Sequence, residues 1–203
     1  MDGPVVHARR SFSGGRTDAP IAFLDRDGVL NMSLNGYVNK PGELRLIAGT
    51  GAAMRSLREA GFLLCVVTNQ SAIDRGHWDD DRLHLIHDRL DELLKHEGAQ
   101  PDLVLACPHV PWAGCDCRKP APGMLDLGAQ LRSVGGFEAM RQRWRRGQQA
   151  QPHPLDAMVG DRRSDLQAGA QYGARPFWAK RDRGLHTVLS RILDPEDIGD
   201  EVA

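Results

Sequence analysis

Asp25 and Asp27 stand two residues apart where the apolar run IAFL ends, and Gly28 follows them. In an extended chain, residues two apart leave on the same side, and a glycine next to them lets the backbone turn away without a Cβ penalty. Two carboxylates so close repel unless a proton or a cation separates them. Mg²⁺ suits the pair, because it takes hard oxygen ligands in a near-octahedral shell that keeps several waters. Asp161, closing the run LDAMVG, offers a third carboxylate from a distant part of the chain. An isolated Asp-x-Asp-Gly is equally an ordinary turn, so the rest of the pattern has to decide.

A second group of ligand types lies in CPHVPWAGCDC, where Cys107, His109, Cys115 and Cys117 fall within eleven residues. One residue, Pro108 or Asp116, separates the members of each pair, so each pair points to one side of an extended chain. A turn between them brings the pairs together. The product is a Cys₃His tetrahedron suited to Zn²⁺, with no open position and hence a structural role. The fourth cysteine, Cys65, sits inside the apolar run FLLCVVTN, and this distribution is unlike the disulfide framework of a small secreted domain. A zinc at the cluster would fix the chain just before Arg118 and Lys119.

These residues need elements to hold them. The runs IAFLD (21–25), FLLCVVTN (62–69), LVLAC (103–107), LDAMVGD (155–161) and ARPFWA (174–179) are short and almost wholly apolar, as in parallel strands covered on both faces. Helical spacing appears between them, most clearly over 79–97, where Leu83, Ile86, Leu90, Leu93 and Leu94 recur behind Asp79, Asp80 and Asp81. Further helices are expected over 50–60, 123–133, 164–172 and 185–193, with Gly61, Gly98 and Gly173 placed to end three of them. Alternating strand and helix predict an α/β fold, a Rossmann-like open parallel sheet with helices on both faces. In such sheets ligands bind beyond the carboxyl ends of the strands. Those ends carry Asp25 and Asp27, Thr68 to Ser71, the cysteine loop, and Asp161.

The chain of 203 residues is 41% hydrophobic and 26% charged with a formal net charge of −1, enough apolar material for one core and no polycation. Neither a spanning segment nor a signal-like run is present, so a soluble cytoplasmic protein is expected. Residues 1–20, rich in Gly, Pro and Arg, read as a flexible tail, and 21–203 as a single domain. Residues 134–154, with Arg141, Arg143, Arg145 and Arg146 around Trp144, read as a surface insertion. A basic solvated helix accounts for that insertion more simply than a nucleic-acid contact. His84, His87 and His96 on the 79–97 helix read as solvated or packed, not as ligands.

FLDRDGVLN, VVTNQS, CRKP and VGDRRSD, in this order and each at a strand end or just beyond one, resemble the four signature motifs of the haloacid dehalogenase (HAD) superfamily of phosphatases. The resemblance covers about residues 20–180. It implies that Asp25 is the nucleophile that takes up the phosphoryl group and that Asp27 is the acid and base. Thr68 and Lys119 would hold the transferring oxygens. Mg²⁺ would be bound by Asp25, the Asp27 carbonyl and Asp161, while Asp165 completes the Gly-Asp-x-x-x-Asp pattern as a ligand, a water-mediated ligand or a helix cap.

Cys-Pro-His and Cys-Asp-Cys-Arg-Lys-Pro are similar to the zinc-containing branch that includes the heptose-bisphosphate phosphatases and the histidinol-phosphatases. LNGYV (34–38), TNQSAIDRG (68–76) and CRKPAPGML (117–125) lean toward the former. That likeness implies no large cap domain and a small sugar bisphosphate as substrate. Gly36, Tyr37, Asn69, Gln70, Ser71, Arg118, Lys119 and Arg162 would be the substrate contacts, with Arg118 recognising the distal phosphate or a hydroxyl. Arg162 replaces a lysine usual in the heptose enzymes, and the cysteine loop has the shorter length of the histidinol-phosphatases. Histidinol phosphate, a DNA 3′-phosphate end and a non-catalytic zinc module stay open as alternatives. A monomer is expected.

Overall fold

The computed structural model describes residues 3–7, 16, 18–132, 140, 142, 144, 147 and 149–202. Six strands form one sheet: β1 (Val5–His7), β2 (Ile21–Leu24), β3 (Leu63–Asn69), β4 (Leu103–Cys107), β5 (Ala157–Gly160) and β6 (Arg175–Trp178). The α-helices with both ends among the described residues are α1 (Thr50–Glu59), α2 (Asp80–His96), α3 (Gly123–Gly128), α4 (Arg163–Tyr172) and α5 (Leu189–Leu193). The spatial order is β1-β4-β3-β2-β5-β6, all parallel except β1, which runs antiparallel to β4. Chain order reverses on either side of β2, so the switch point of the sheet lies at the end of the strand that leads into Asp25.

Period-two alternation sorts the strand residues into two cores. Ala22, Leu24, Leu64, Val66 and Val159 face one layer with Met54 and Leu57 of α1 and Ile86, Leu90 and Leu94 of α2. Ile21, Phe23, Cys65, Val67 and Met158 face the other with Met124 and Leu125 of α3 and Ala168 and Tyr172 of α4. Both faces of β2 and of β3 up to Val67 are therefore dry, which explains why IAFL and LLCVV lack polar residues. Leu83, Ile86, Leu90 and Leu94 are all fully buried, and the Asp79 side chain caps α2 by accepting from the Arg82 N–H at 2.9 Å. The segment expected to be helical over 123–133 is α-helical only to Gly128 and then tightens into a 3-10 turn.

Described parts of the amino-terminal segment are held against the sheet. Val5–His7 pairs with Val104–Ala106 as an edge strand, and Val5 packs against Leu83 and Ala106. Arg16 donates to the Gly61 carbonyl at 2.6 Å, and Arg132 to that of Ala19 at 2.9 Å. Of the basic insertion, Arg141, Arg143, Arg145 and Arg146 lie outside the described residues, while Trp144 packs against the second core. Between β2 and α1 the chain holds only a 3-10 turn, Pro41–Glu43, so no separate cap is inserted there. No described helix is long and apolar enough to cross a membrane.

Candidate active site

Asp25 follows β2 and is anchored by its N–H donating to the Val159 carbonyl of β5 at 2.9 Å. This cross-strand bond ties the ends of the two strands that carry Asp25 and Asp161. One oxygen each from Asp25, Asp161 and Asp165 lies within 4.8 Å of the others, and all three residues are buried. Oδ1 of Asp161 is buried and accepts no hydrogen bond among the described residues, the Arg162 guanidinium coming only to 3.9 Å, so it is an acceptor that a closer cation would compensate. A hard divalent ion fits this donor set. Gly28 turns away at φ 90°, and a Cβ there would lie 2.6 Å from Oδ2 of Asp161, so a glycine is what lets the two strand ends close.

Lys119 comes from the loop that follows Cys117. Its ammonium donates to Asp25 Oδ1, Asp165 Oδ1 and the Val67 carbonyl, each at 2.7 Å. Burial works against its charge, and the two carboxylates overcome that, holding the ammonium above the ordinary lysine range. Burial also pushes the Asp25 carboxyl up, to about 7, against the opposing pull of Lys119. Asp165 has two duties, since its second oxygen accepts from the Arg162 N–H at 2.9 Å and caps α4. Asn69 clamps the Lys119 backbone from both sides, donating to its carbonyl at 3.0 Å and accepting from its N–H at 3.2 Å.

Asp27, although two residues from Asp25, makes a separate set of bonds. Its carboxylate accepts from Arg26 (2.8 and 3.2 Å), Asn31 (2.9 Å) and Gln70 (2.9 Å). Burial favours the protonated form, but the Arg26 guanidinium and these donors outweigh it, so the carboxyl sits below its usual range. Arg26 is itself fully buried, with Nη1 3.4 Å from His87 Nε2. Burial and Arg26 hold His87 well below the ordinary histidine range, that is, neutral.

The four soft ligands meet. Their sulfur–sulfur and sulfur–nitrogen separations run from 3.2 to 3.6 Å for Cys107–His109, Cys107–Cys115, Cys107–Cys117, Cys115–Cys117 and His109–Cys117. A tetrahedral zinc with bonds of about 2.3 Å sets edges of about 3.8 Å, so the cluster is close to a closed coordination shell. Arg118 bonds this loop, donating to the His109 carbonyl at 3.0 Å.

A cavity of about 1000 Å³ opens over these groups, lined among others by Asp25, Asp27, Gly36, Tyr37, Thr68, Asn69, Ser71, Arg118, Lys119, Arg162 and Asp165. Tyr37 and Ser71 share a hydrogen bond of 2.9 Å across its wall. Thr68 accepts from Gln70 at 2.8 Å, leaving its own hydroxyl proton to give. Gln70 is the expected substrate contact that the cavity does not meet; it is buried behind the wall, joining Thr68 to Asp27. Among the lining residues outside the expected set are two cations, Arg75 and Arg181. Arg181 donates to Asp161 Oδ2 at 2.6 Å. Its only signal in the sequence is its place just beyond the last strand, in AKRDRG.

A curated D-glycero-β-D-manno-heptose-1,7-bisphosphate 7-phosphatase of Pseudomonas putida is 34% identical over 183 residues, 90% of this chain and 95% of the relative. The chain belongs to the heptose-bisphosphate phosphatase family of HAD-like enzymes. A relative of the same name from Photorhabdus laumondii is 41% identical over 191 residues, covering 86% of this chain and 92% of its own. Among solved structures, D,D-heptose 1,7-bisphosphate phosphatase from B. bronchiseptica, complexed with magnesium and phosphate, superposes with a TM-score of 0.64 at 32% identity, covering 84% of this chain and 86% of that one. A Mesorhizobium loti protein described as HAD-like reaches 0.71 at 28% identity over 99% of this chain and 97% of its own. No protein-family model matches the chain. This member of the family is thus a hydrolase of phosphate monoesters with an open α/β sheet.

Proposed function

We propose that the chain removes the 7-phosphate from D-glycero-β-D-manno-heptose 1,7-bisphosphate through an aspartyl phosphate on Asp25. The observation that carries this reading is the convergence of Asp25, Asp161, Asp165 and the Lys119 ammonium at the switch point of the sheet. Asp25 attacks phosphorus, the bond to the sugar oxygen breaks, and Asp27 delivers the proton that the departing alkoxide needs. A water deprotonated by Asp27 then opens the acyl phosphate, releasing inorganic phosphate and restoring Asp25. Lys119 and the Thr68 hydroxyl hold the non-bridging oxygens throughout. Asp25, the Asp27 carbonyl and Asp161, with Asp165 in support, are the groups that would hold Mg²⁺. When bound, the ion supplies the positive charge that keeps Asp25 ionised and neutralises the phosphoryl group. Cys107, His109, Cys115 and Cys117 are the groups that would hold Zn²⁺, which would fix the loop from which Arg118 and Lys119 project. Gly36, Tyr37, Asn69, Ser71, Arg118 and Arg162 frame the sugar, with Gln70 acting from behind.

The test is phosphate release from the β and α anomers of the heptose bisphosphate, histidinol phosphate and a 3′-phosphorylated oligonucleotide, with and without Mg²⁺. The β anomer should give the highest kcat/KM, and Asp25→Asn should abolish turnover of every substrate while thermal unfolding shows a folded protein. Preference for histidinol phosphate or the oligonucleotide overturns the substrate assignment, and turnover by Asp25→Asn overturns the covalent route.

A further inference from the structure

A bisphosphate brings a second anion of about −1.5 to −2 charge into the cavity, and that group also has to be met by donors. Most cations lining the cavity are already engaged. Lys119 is shared by Asp25 and Asp165, Arg162 and Arg181 face Asp161 at 3.9 and 2.6 Å, and Arg118 donates to the His109 carbonyl. Arg75 differs. It is exposed and lines the cavity, and its side-chain partner among the described residues is an aromatic face: the guanidinium carbon lies 5.1 Å from the ring centroid of Trp112.

Trp112 has no packing reason to be where it is, being 74% exposed. It stands on the 3-10 turn Pro111–Ala113, between His109 and Cys115, so the cluster on either side of the turn holds the backbone that carries it. Two further bonds join the loop that carries Arg75 to the same segment. The Asp74 carboxylate accepts from the Val110 N–H at 3.0 Å, and the Asp74 N–H donates to the Pro108 carbonyl at 3.3 Å. A guanidinium stacked on an aromatic ring keeps its in-plane N–H fork available, and that fork matches the oxygens of a phosphate. Stacking also restricts the long side chain before the ligand arrives, which lowers the entropy lost on binding.

We propose that Arg75, oriented by the face of Trp112, is the receptor for the phosphate that is not cleaved, and so determines specificity for a bisphosphate over a monophosphate. This rests on the sugar-bisphosphate reading above. The loop of Cys107 to Cys117 then serves both ends of the substrate, positioning Lys119 at the reacting phosphate and Trp112 at the remote one.

The experiment compares kcat/KM for heptose 1,7-bisphosphate with that for heptose 7-phosphate, which lacks the remote anion, in the wild type, Arg75→Ala, Arg75→Lys, Trp112→Ala and Trp112→Phe. The wild type should favour the bisphosphate. Arg75→Ala should reduce that ratio on the order of 10- to 100-fold, as expected for losing hydrogen bonds between charged groups, mainly through KM. Arg75→Lys should recover part of it, Trp112→Ala should lower it by a smaller factor, and Trp112→Phe should restore it. A wild type that does not distinguish the two substrates refutes the bisphosphate reading itself. A discriminating wild type whose ratio survives Arg75→Ala, including by equal losses on both substrates, overturns the role of Arg75 alone. An unchanged ratio in Trp112→Ala removes the orienting role of the ring.

Discussion

Replacing Arg26 by methionine tests how Asp27, the proposed acid and base, is held. The side chain is fully buried and supplies two of the four hydrogen bonds that reach the Asp27 carboxylate, the others coming from Asn31 and Gln70. Removing one partner of a buried ion pair costs about 3–5 kcal/mol. Asp27 keeps two donors and its side chain is 28% exposed, which places Arg26→Met at the lower end, about 3 kcal/mol. For a chain of this size each kcal/mol moves Tm by about 2–4 °C, so a fall of about 6–12 °C is expected. The loss should depend on pH. The Asp27 carboxyl titrates below its ordinary 3.8 in the folded protein, so its contribution to stability is complete above about pH 4 and disappears as pH falls through the lower, folded value. The gap between wild type and variant should therefore narrow below about pH 4. Activity supplies a second readout. A sugar alkoxide leaves poorly without a proton, whereas p-nitrophenolate hardly needs one, so the variant should lose far more turnover on the sugar ester than on p-nitrophenyl phosphate. A stability gap that stays constant from pH 7 to pH 3, or equal losses on both substrates, would refute the assignment of Arg26 as the group that positions Asp27.

Two further outcomes follow from the site's geometry. If the Cys107, His109, Cys115 and Cys117 cluster holds the proposed Zn²⁺, chelation should loosen the loop and lower kcat at saturating Mg²⁺, with recovery on adding Zn²⁺ back; full activity in a protein shown by elemental analysis to lack zinc would count against the structural role. Gly28→Ala puts a Cβ at φ 90° and 2.6 Å from Asp161 Oδ2, so it should weaken Mg²⁺ binding by at least tenfold in a metal titration of activity; an unchanged apparent Kd would show that the two strand ends can part without consequence.

The layout of strands and the identity of the groups at their ends are local properties of the chain, and this is why they were legible. A run such as IAFL or LLCVV can be buried on both faces only as a central strand, and the polar residue that ends it must lie at the rim of the sheet. Asp25, Thr68 and Asp161 were located that way, and the ligand cluster by the spacing of its four members. The Val5–His7 strand had no such signature. Three residues show no periodicity, and they become a strand because β4 would otherwise leave an edge of unpaired donors and acceptors.

Partnership among the polar groups was decided by the tertiary structure alone. Asp25 and Asp27 share a motif, yet one faces Lys119 and the other Arg26. Gln70 turned behind the wall, and Arg181, 20 residues from Asp161 in the chain, reached it. Sequence determined which side chains stand at the carboxyl edge, because hydrophobic periodicity is read within a few residues. Which carboxylate meets which cation depended on the strand order about β2 and on the rotamers that packing left open, since burial penalises every unpaired charge and only the assembled fold sets which partners are within reach.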